Sequence, residues 1–201
     1  MNGINFYPNS VGKVVLDSVK ANYNNRIRGP GIALISPDIE LKDVDASYNG
    51  SGGIRITPSA IGEVKVKLQG TTLLRGNRGA GFRISADDVN PLSGKVEVEG
   101  DLYIYENGGR SGFEMTANTD VNVDVKKGGS FYACGNVGEG VRRGADVINS
   151  GGGEFGKKGF TCGTGAVGNS SGGGNLPGCT PAQCIDSKAE CSTQSSSRGR
   201  R

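Results

Sequence analysis

The sequence predicts an all-β coiled solenoid with about 25 residues per coil. Three observations carry that reading. Five segments share one ending, NRIRGPGIALI, NGSGGIRI, NRGAGFRI, NGGRSGFEM and NVGEGVRRG, and a sixth, NGINF, opens the chain. Before each full ending lies a stretch that alternates apolar and polar residues: Val14/Leu16, Ile39/Leu41, Val64/Val66, Val96/Val98 and Val121/Val123. Glycine supplies 36 of the 201 residues, against an ordinary share of about 7%. That argues against helices, in which each Gly costs about 1 kcal/mol relative to Ala.

Strict alternation over a short stretch means a strand with one face buried. The first strand of the coil recurs at positions 14, 39, 64, 96 and 121, in steps of 25, 25, 32 and 25. The long step is one period plus an inserted loop over Ser85 to Lys95. The second strand is clearest as Val19-Ala21-Tyr23 and Val44-Ala46-Tyr48, and Phe131-Ala133 resembles it. The third follows Gly3, Gly31, Gly53, Gly81, Gly112 and Gly140. Three short strands cannot bury a core alone, so each coil must pair with its neighbours about 4.8 Å away. Aligned positions then stack into columns.

One column is Asn24, Asn49, Asn77, Asn107 and Asn136, just before each Gly-rich turn. Asn tolerates the left-handed conformation that a sharp corner needs. Its amide can also bond to the Asn above and below, forming a ladder. These five are expected to be structural rather than ligand-binding.

The V-x-V strands, the Asn corner and the G-[IF]-x-[IM] strand, as in Gly53-Ile54-Arg55-Ile56, resemble the right-handed parallel β-helix of the pectin-lyase-like superfold. The resemblance covers residues 1 to 145 and implies architecture more than activity, since the superfold holds lyases, hydrolases, esterases, epimerases, viral tailspikes and surface proteins. Its members usually begin with a capping helix. This chain starts inside a coil at Gly3-Ile4-Asn5-Phe6, which predicts a solenoid truncated at its N-terminal end. Val147-Ile148 is expected to open one last degraded coil ending near Phe160. The solenoid thus spans 1–160. Residues 161–201, rich in Gly, Ser and Cys, are expected to be a disordered tail that cannot offset its ordering entropy.

Composition excludes several chemistries. There is no His, so His-based triads and His-ligated zinc are absent. No apolar run approaches the ~20 residues of a spanning helix, so no membrane partner is expected. A net charge of +3 is too mild to imply nucleic acid. The five Cys fit no zinc spacing, and the late cluster Cys162, Cys179, Cys184 and Cys191 points toward an oxidising compartment. The N-terminus MNGINFYPNSVGK has no signal-peptide pattern. Sequons stand at Asn49-Gly50-Ser51 and Asn169-Ser170-Ser171.

Two outward surfaces could carry function. On the first strand one column is expected to read Val15, Glu40, Lys65, Glu97, Asn122, and the next Asp17, Lys42, Lys67, Glu99, Asp124. Opposite charges alternate, as on a solvated sheet face. Glu99 and Asp124 would then stack as like charges beside Glu97, a group that wants Lys67 or a hard cation such as Ca²⁺. The resemblance implies a matching alternative. Pectate lyases hold Ca²⁺ on outward carboxylates with a basic residue nearby, and Glu97, Glu99 and Asp124 with Lys65 and Lys67 could imitate them. The polygalacturonase string N-T-D occurs at Asn118-Thr119-Asp120, but its later Asp pair and its G-H-G are missing, so an ordinary turn is expected.

The second surface is basic. Residues 1 to 160 hold nine Arg, at 26, 28, 55, 75, 78, 83, 110, 142 and 143, all in the corner-plus-third-strand sector. Only Glu106, Glu114 and Glu139 oppose them there. Arg55, Arg83 and Arg142 are expected at one outward position, with Arg78 and Arg110 at the neighbouring corners. A guanidinium binds carboxylate or sulfate in a bidentate fork. An Arg column on a flat sheet suits an extended anionic glycan. Nucleic acid fits less well, because the sector lacks interleaved aromatics. The sequence therefore predicts a non-catalytic module, secreted or surface-associated, that binds anionic polysaccharide or serves as a structural repeat. It needs no cofactor, Ca²⁺ entering only under the lyase alternative, and nothing in it marks an oligomer.

Overall fold

The structure, a computed structural model, describes residues 3–6, 12–24, 29–57, 62–86, 91–109, 111–116, 118–134, 136, 145–149 and 160–161. The strands are β1 (Ile4–Phe6), β2 (Lys13–Asp17), β3 (Ile32–Leu34), β4 (Asp38–Asp45), β5 (Ile54–Ile56), β6 (Glu63–Arg75) and β7 (Phe82–Ile84). They continue as β8 (Leu92–Val98), β9 (Asp101–Tyr105), β10 (Ser111–Met115), β11 (Thr119–Val125), β12 (Ser130–Cys134), β13 (Ala145–Asn149) and β14 (Phe160–Thr161). Every strand pairing is parallel. Among the described residues no helix is long and apolar enough to cross a membrane.

The strands form three stacks. The first face is β2, the start of β4, the start of β6, β8 and β11. The second is the ends of β4 and β6, then β9, β12 and β14. The third is β1, β3, β5, β7, β10 and β13. The chain is thus a parallel β-helix. β4 and β6 run through the corner between the first two faces, where Asp43 and Gly70 take positive φ of 52° and 57°.

Alternation does what the sequence implies. Ile39, Leu41, Val64, Val66, Val96, Val98, Val121 and Val123 are all buried. Phe82 and Phe113 stack at 5.2 Å in the core, and Phe131 meets Phe113 edge-on at 5.6 Å. Burying each such side chain stabilises by about 1.5–3 kcal/mol.

Three expectations need correction. Coil length varies: the registered residues Val14, Ile39, Val66, Val96 and Val123 lie 25, 27, 30 and 27 apart, rather than a period of 25 with one inserted loop. On the first face Ile39 pairs with Val66, not Val64, and Val96 pairs with Val123, not Val121. The two-residue slip leaves every apolar residue inward, so the alternation alone cannot detect it. Finally, Val147 and Ile148 lie in β13, the third strand of the coil that begins at Thr119. Of the expected tail, 161–201, Thr161 instead lies in β14, paired with Tyr132, and the rest lies outside the described residues.

Candidate functional site

The asparagine corner, between the second and third faces, ties each coil to its neighbours. Asn24, Asn49, Asn77, Asn107 and Asn136 form one continuous ladder. From Asn49 onward each Oδ1 accepts the backbone N–H and the Nδ2–H of the Asn one coil earlier, at 2.8–3.1 Å. The spare Nδ2–H of Asn77, Asn107 and Asn136 donates to the carbonyls of Ala46, Leu74 and Ile104 at 2.9–3.0 Å. Each of these three amides thus ties its coil to the one before it. Asn49 is 1% exposed and its Nδ2 is bonded to Asn77, so the sequon at Asn49 is closed in the folded chain. The sequon at Asn169 lies outside the described residues.

None of Asn24, Asn49, Asn77 and Asn107 takes the left-handed conformation expected of it. The residue just before each one does: Tyr23, Tyr48, Gly76 and Glu106, with φ of 58°, 57°, 61° and 56°. A left-handed L-residue costs about 1–2 kcal/mol, which the ladder bonds offset. The glycine column answers a different need. A methyl carbon built on Gly31 would stand 2.5 Å from Nδ2 of Asn49, and one on Gly112 would stand 2.5 Å from Nδ2 of Asn136. The paired Asn and Gly of the repeat are therefore one device, amide packed against bare backbone.

The left-handed residue also turns its side chain outward. Tyr23 and Tyr48 leave the inward row of Val19/Ala21 and Val44/Ala46 and stack at 5.1 Å. The Arg75 guanidinium sits 5.6 Å from the Tyr48 ring and 5.2 Å from that of Tyr105. Its Nε donates to Glu106 Oε2 at 2.8 Å. Arg75 thus clamps the corner from outside.

On the first face the true columns are Lys13, Asp38, Lys65, Lys95, Asn122; then Val15, Glu40, Lys67, Glu97, Asp124; then Asp17 and Lys42. The like-charge step is therefore Glu97 over Asp124, not Glu99 over Asp124. Lys126 closes it, 3.2 Å from Glu97 and 3.9 Å from Asp124, and Lys95 lies 3.1 Å from Glu97. Glu99 accepts from Gln69 at 2.9 Å and pairs with Lys67 at 3.0 Å. The Lys95 hydrogen bond, opposed by partial burial and reinforced by Lys126, lowers the Glu97 pKa. Bonds from Gln69 and then Lys67 lower that of Glu99. Among the described residues no group of three acidic or cysteine side chains is arranged to hold a metal.

On the third face Arg55 and Arg83 are registered partners in β5 and β7. Arg55 Nε donates to Thr57 Oγ1 at 3.1 Å, and that hydroxyl meets Ser85 Oγ at 3.2 Å. Arg83 Nε is shielded from solvent without a hydrogen bond, and the Glu114 carboxylate stands 3.7 Å away. Among the described residues neither Arg55 nor exposed Arg78 meets a carboxylate. The column does not continue to Arg142, because the residue registered with Glu114 is Ile148. On the other side the registered neighbour of Arg55 is Ala33. The Arg column is thus two coils deep. Arg142 and Arg110 themselves lie outside the described residues. Thr57 and Ser85 were legible as the repeat Arg-Ile-Thr and Arg-Ile-Ser.

No protein-family model, no curated protein and no solved structure matches the chain.

Proposed function

We propose that the chain is a non-catalytic parallel β-helix module, secreted or displayed at a surface, that binds an anionic glycan through Arg55 and Arg83. The observation that carries this reading is the registered Arg55–Arg83 pair. One of the two has only a neutral hydroxyl for a partner, while the lysines of the first face are matched by carboxylates. Two guanidiniums about 4.8 Å apart at the backbone repel until an anion bridges them. Thr57 and Ser85 add hydroxyls to the same edge. Ala33 and Glu114 bound the pair along the solenoid axis. A polymer is therefore best served by crossing the third face along the strands, where Arg78 precedes Arg83 in the same coil. The likeness of the coil motif to pectin-lyase-like proteins favours a saccharide over other polyanions. No observation favours the Ca²⁺-dependent lyase, since Glu97, Glu99 and Asp124 already have ammonium partners.

The test is calorimetric titration with a sulfated glycan, polygalacturonate and neutral dextran over a series of salt concentrations. Binding to the two polyanions that weakens as salt rises is expected, with none to dextran. No binding at low salt, or equal binding to dextran, would leave the module as a spacer. Excess Ca²⁺ should leave the melting curve in place; a rise in Tm together with unsaturated product from polygalacturonate would revive the lyase.

A further inference from the structure

Two rungs of the ladder stand directly before glycine, Asn49-Gly50 and Asn107-Gly108. In such a pair the backbone nitrogen of the glycine can attack Cγ of the asparagine, because glycine places no side chain beside the forming ring. The new C–N bond closes a five-membered succinimide and ammonia leaves. Water then opens the ring to aspartate or, at the other carbonyl, to isoaspartate. One water enters and one ammonia departs, and no other reactant is needed.

In the coil both reacting groups are held. The Gly50 N–H donates to the Asn24 carbonyl at 2.8 Å, and the Gly108 N–H to the Asn77 carbonyl at 2.6 Å. Asn49 Nδ2 is bonded to Asn77 Oδ1 at 3.0 Å. Asn107 Nδ2 is bonded to Asn136 Oδ1 and to the Leu74 carbonyl, each at 2.9 Å. Both asparagines are buried, at 1% and 0% exposure. Ring closure requires the nitrogen to leave the preceding coil and Cγ to turn off the ladder, so adjacent coils must part first.

We infer that Asn49 and Asn107 are latent deamidation sites gated by the separation of coils, and that their conversion closes the ladder to refolding. An aspartate oxygen in place of Nδ2 faces the Oδ1 of the next asparagine with no proton between them. The rung then holds a buried charge without a donor. Isoaspartate adds a carbon to the backbone and displaces everything after it from register. A transient opening thereby becomes a permanent loss, so the lifetime of the fold is set by a rate rather than by an equilibrium.

The full chain is incubated at mildly alkaline pH, once in buffer and once in guanidinium chloride, and mapped by peptide mass spectrometry. Deamidation at Asn49 and Asn107 should be at least about tenfold faster in denaturant. Asn77, which precedes Arg78, should persist in both. After dilution, the fraction that regains its β circular dichroism should be unmodified at both positions. Equal rates in the two media, or refolded material carrying aspartate at either rung, would overturn the inference. Two variants keep the test independent of aggregation. Gly108→Ala, whose added carbon meets nothing closer than 3.5 Å, should fold and protect Asn107 in denaturant; unchanged deamidation there would count against ring closure. Asn107→Asp, prepared without denaturation, should melt well below the parent, and a parental Tm would contradict the claim about the rung.

Discussion

On the first face of the solenoid, Lys13, Lys42, Lys65, Lys67, Lys95 and Lys126 each have a carboxylate at 2.5–3.8 Å. On the third face Arg55 has a threonine hydroxyl, and Arg83 has a carboxylate at 3.7 Å that it does not hydrogen-bond. Both faces are stacks of parallel strands on one core, and both carry charged side chains on their outer sides. The difference lies in where the charge is answered. The first face closes its own circuit and has little left for a partner. The third has one carboxylate, Glu114, for its two registered guanidiniums and leaves Arg55 to be answered from outside. A net charge of +3 conceals this contrast, because the sign of a surface says less than whether its charges are already paired.

The largest effect should come from the ladder that ties one coil to the next. Asn77→Leu removes a buried amide bonded to Asn49, Asn107 and Ala46. It leaves several buried groups unsatisfied, at a cost of about 3 kcal/mol or more. Melting followed by circular dichroism should show a large fall in Tm. An unchanged Tm would mean that the ladder does not set the register, and the contrast between the faces would lose its scaffold. Gly112→Ala should cost less, about 1–3 kcal/mol, because the added carbon is driven into Asn136. Chemical denaturation would detect this as a lower midpoint with an unchanged slope.

Acid should separate the faces. Asp17, Glu97 and Glu99 have depressed pKa values, through Ser18 and Lys42, through Lys95 and Lys126, and through Gln69 and Lys67 respectively. Their contribution is present above the unfolded carboxyl value of about 4 and is lost as pH falls through the lower folded value. The Tm should therefore decline modestly below about pH 4, as these first-face pairs are lost. Binding of a sulfated polymer should persist there, since guanidiniums keep their charge, while binding of a polyuronate should fade as its own carboxyls protonate. Loss of both together would show that the site depends on the first face. The smallest effect belongs to Lys126→Gln, an exposed pair partner, which should change stability by no more than about 1 kcal/mol.

The core and the ladder were legible because both follow from periods the sequence displays: alternation of two, and an asparagine at each corner. Column membership was harder to read. A slip of two residues preserves every inward valine, so aligning Val96 with Val121 satisfies the pattern while placing Glu99, rather than Glu97, over Asp124. Arg142 was assigned to the Arg column from its Gly-x-Arg context, whereas β13 begins at Ala145 and presents Ile148 opposite Glu114. The outward turn of Tyr23 and Tyr48 depends on a left-handed φ that alternation does not encode. Lys95 and Lys126 could be found only once the register was known.

The central claim is that Arg55 and Arg83 bind as a registered pair with only one carboxylate, Glu114, beside it, and paired variants test it most directly. The double variant Arg55→Gln/Arg83→Gln and the double variant Lys42→Gln/Lys67→Gln each remove two positive charges, one pair from each face. Affinity for a sulfated glycan is measured for both at low and moderate salt, after circular dichroism has confirmed that each is folded. The arginine variant should lose at least about tenfold in affinity, with a shallower salt dependence, while the lysine variant binds as the parent does. Equal losses in the two variants would show that net charge alone attracts the polymer, and the account of the third face would fall.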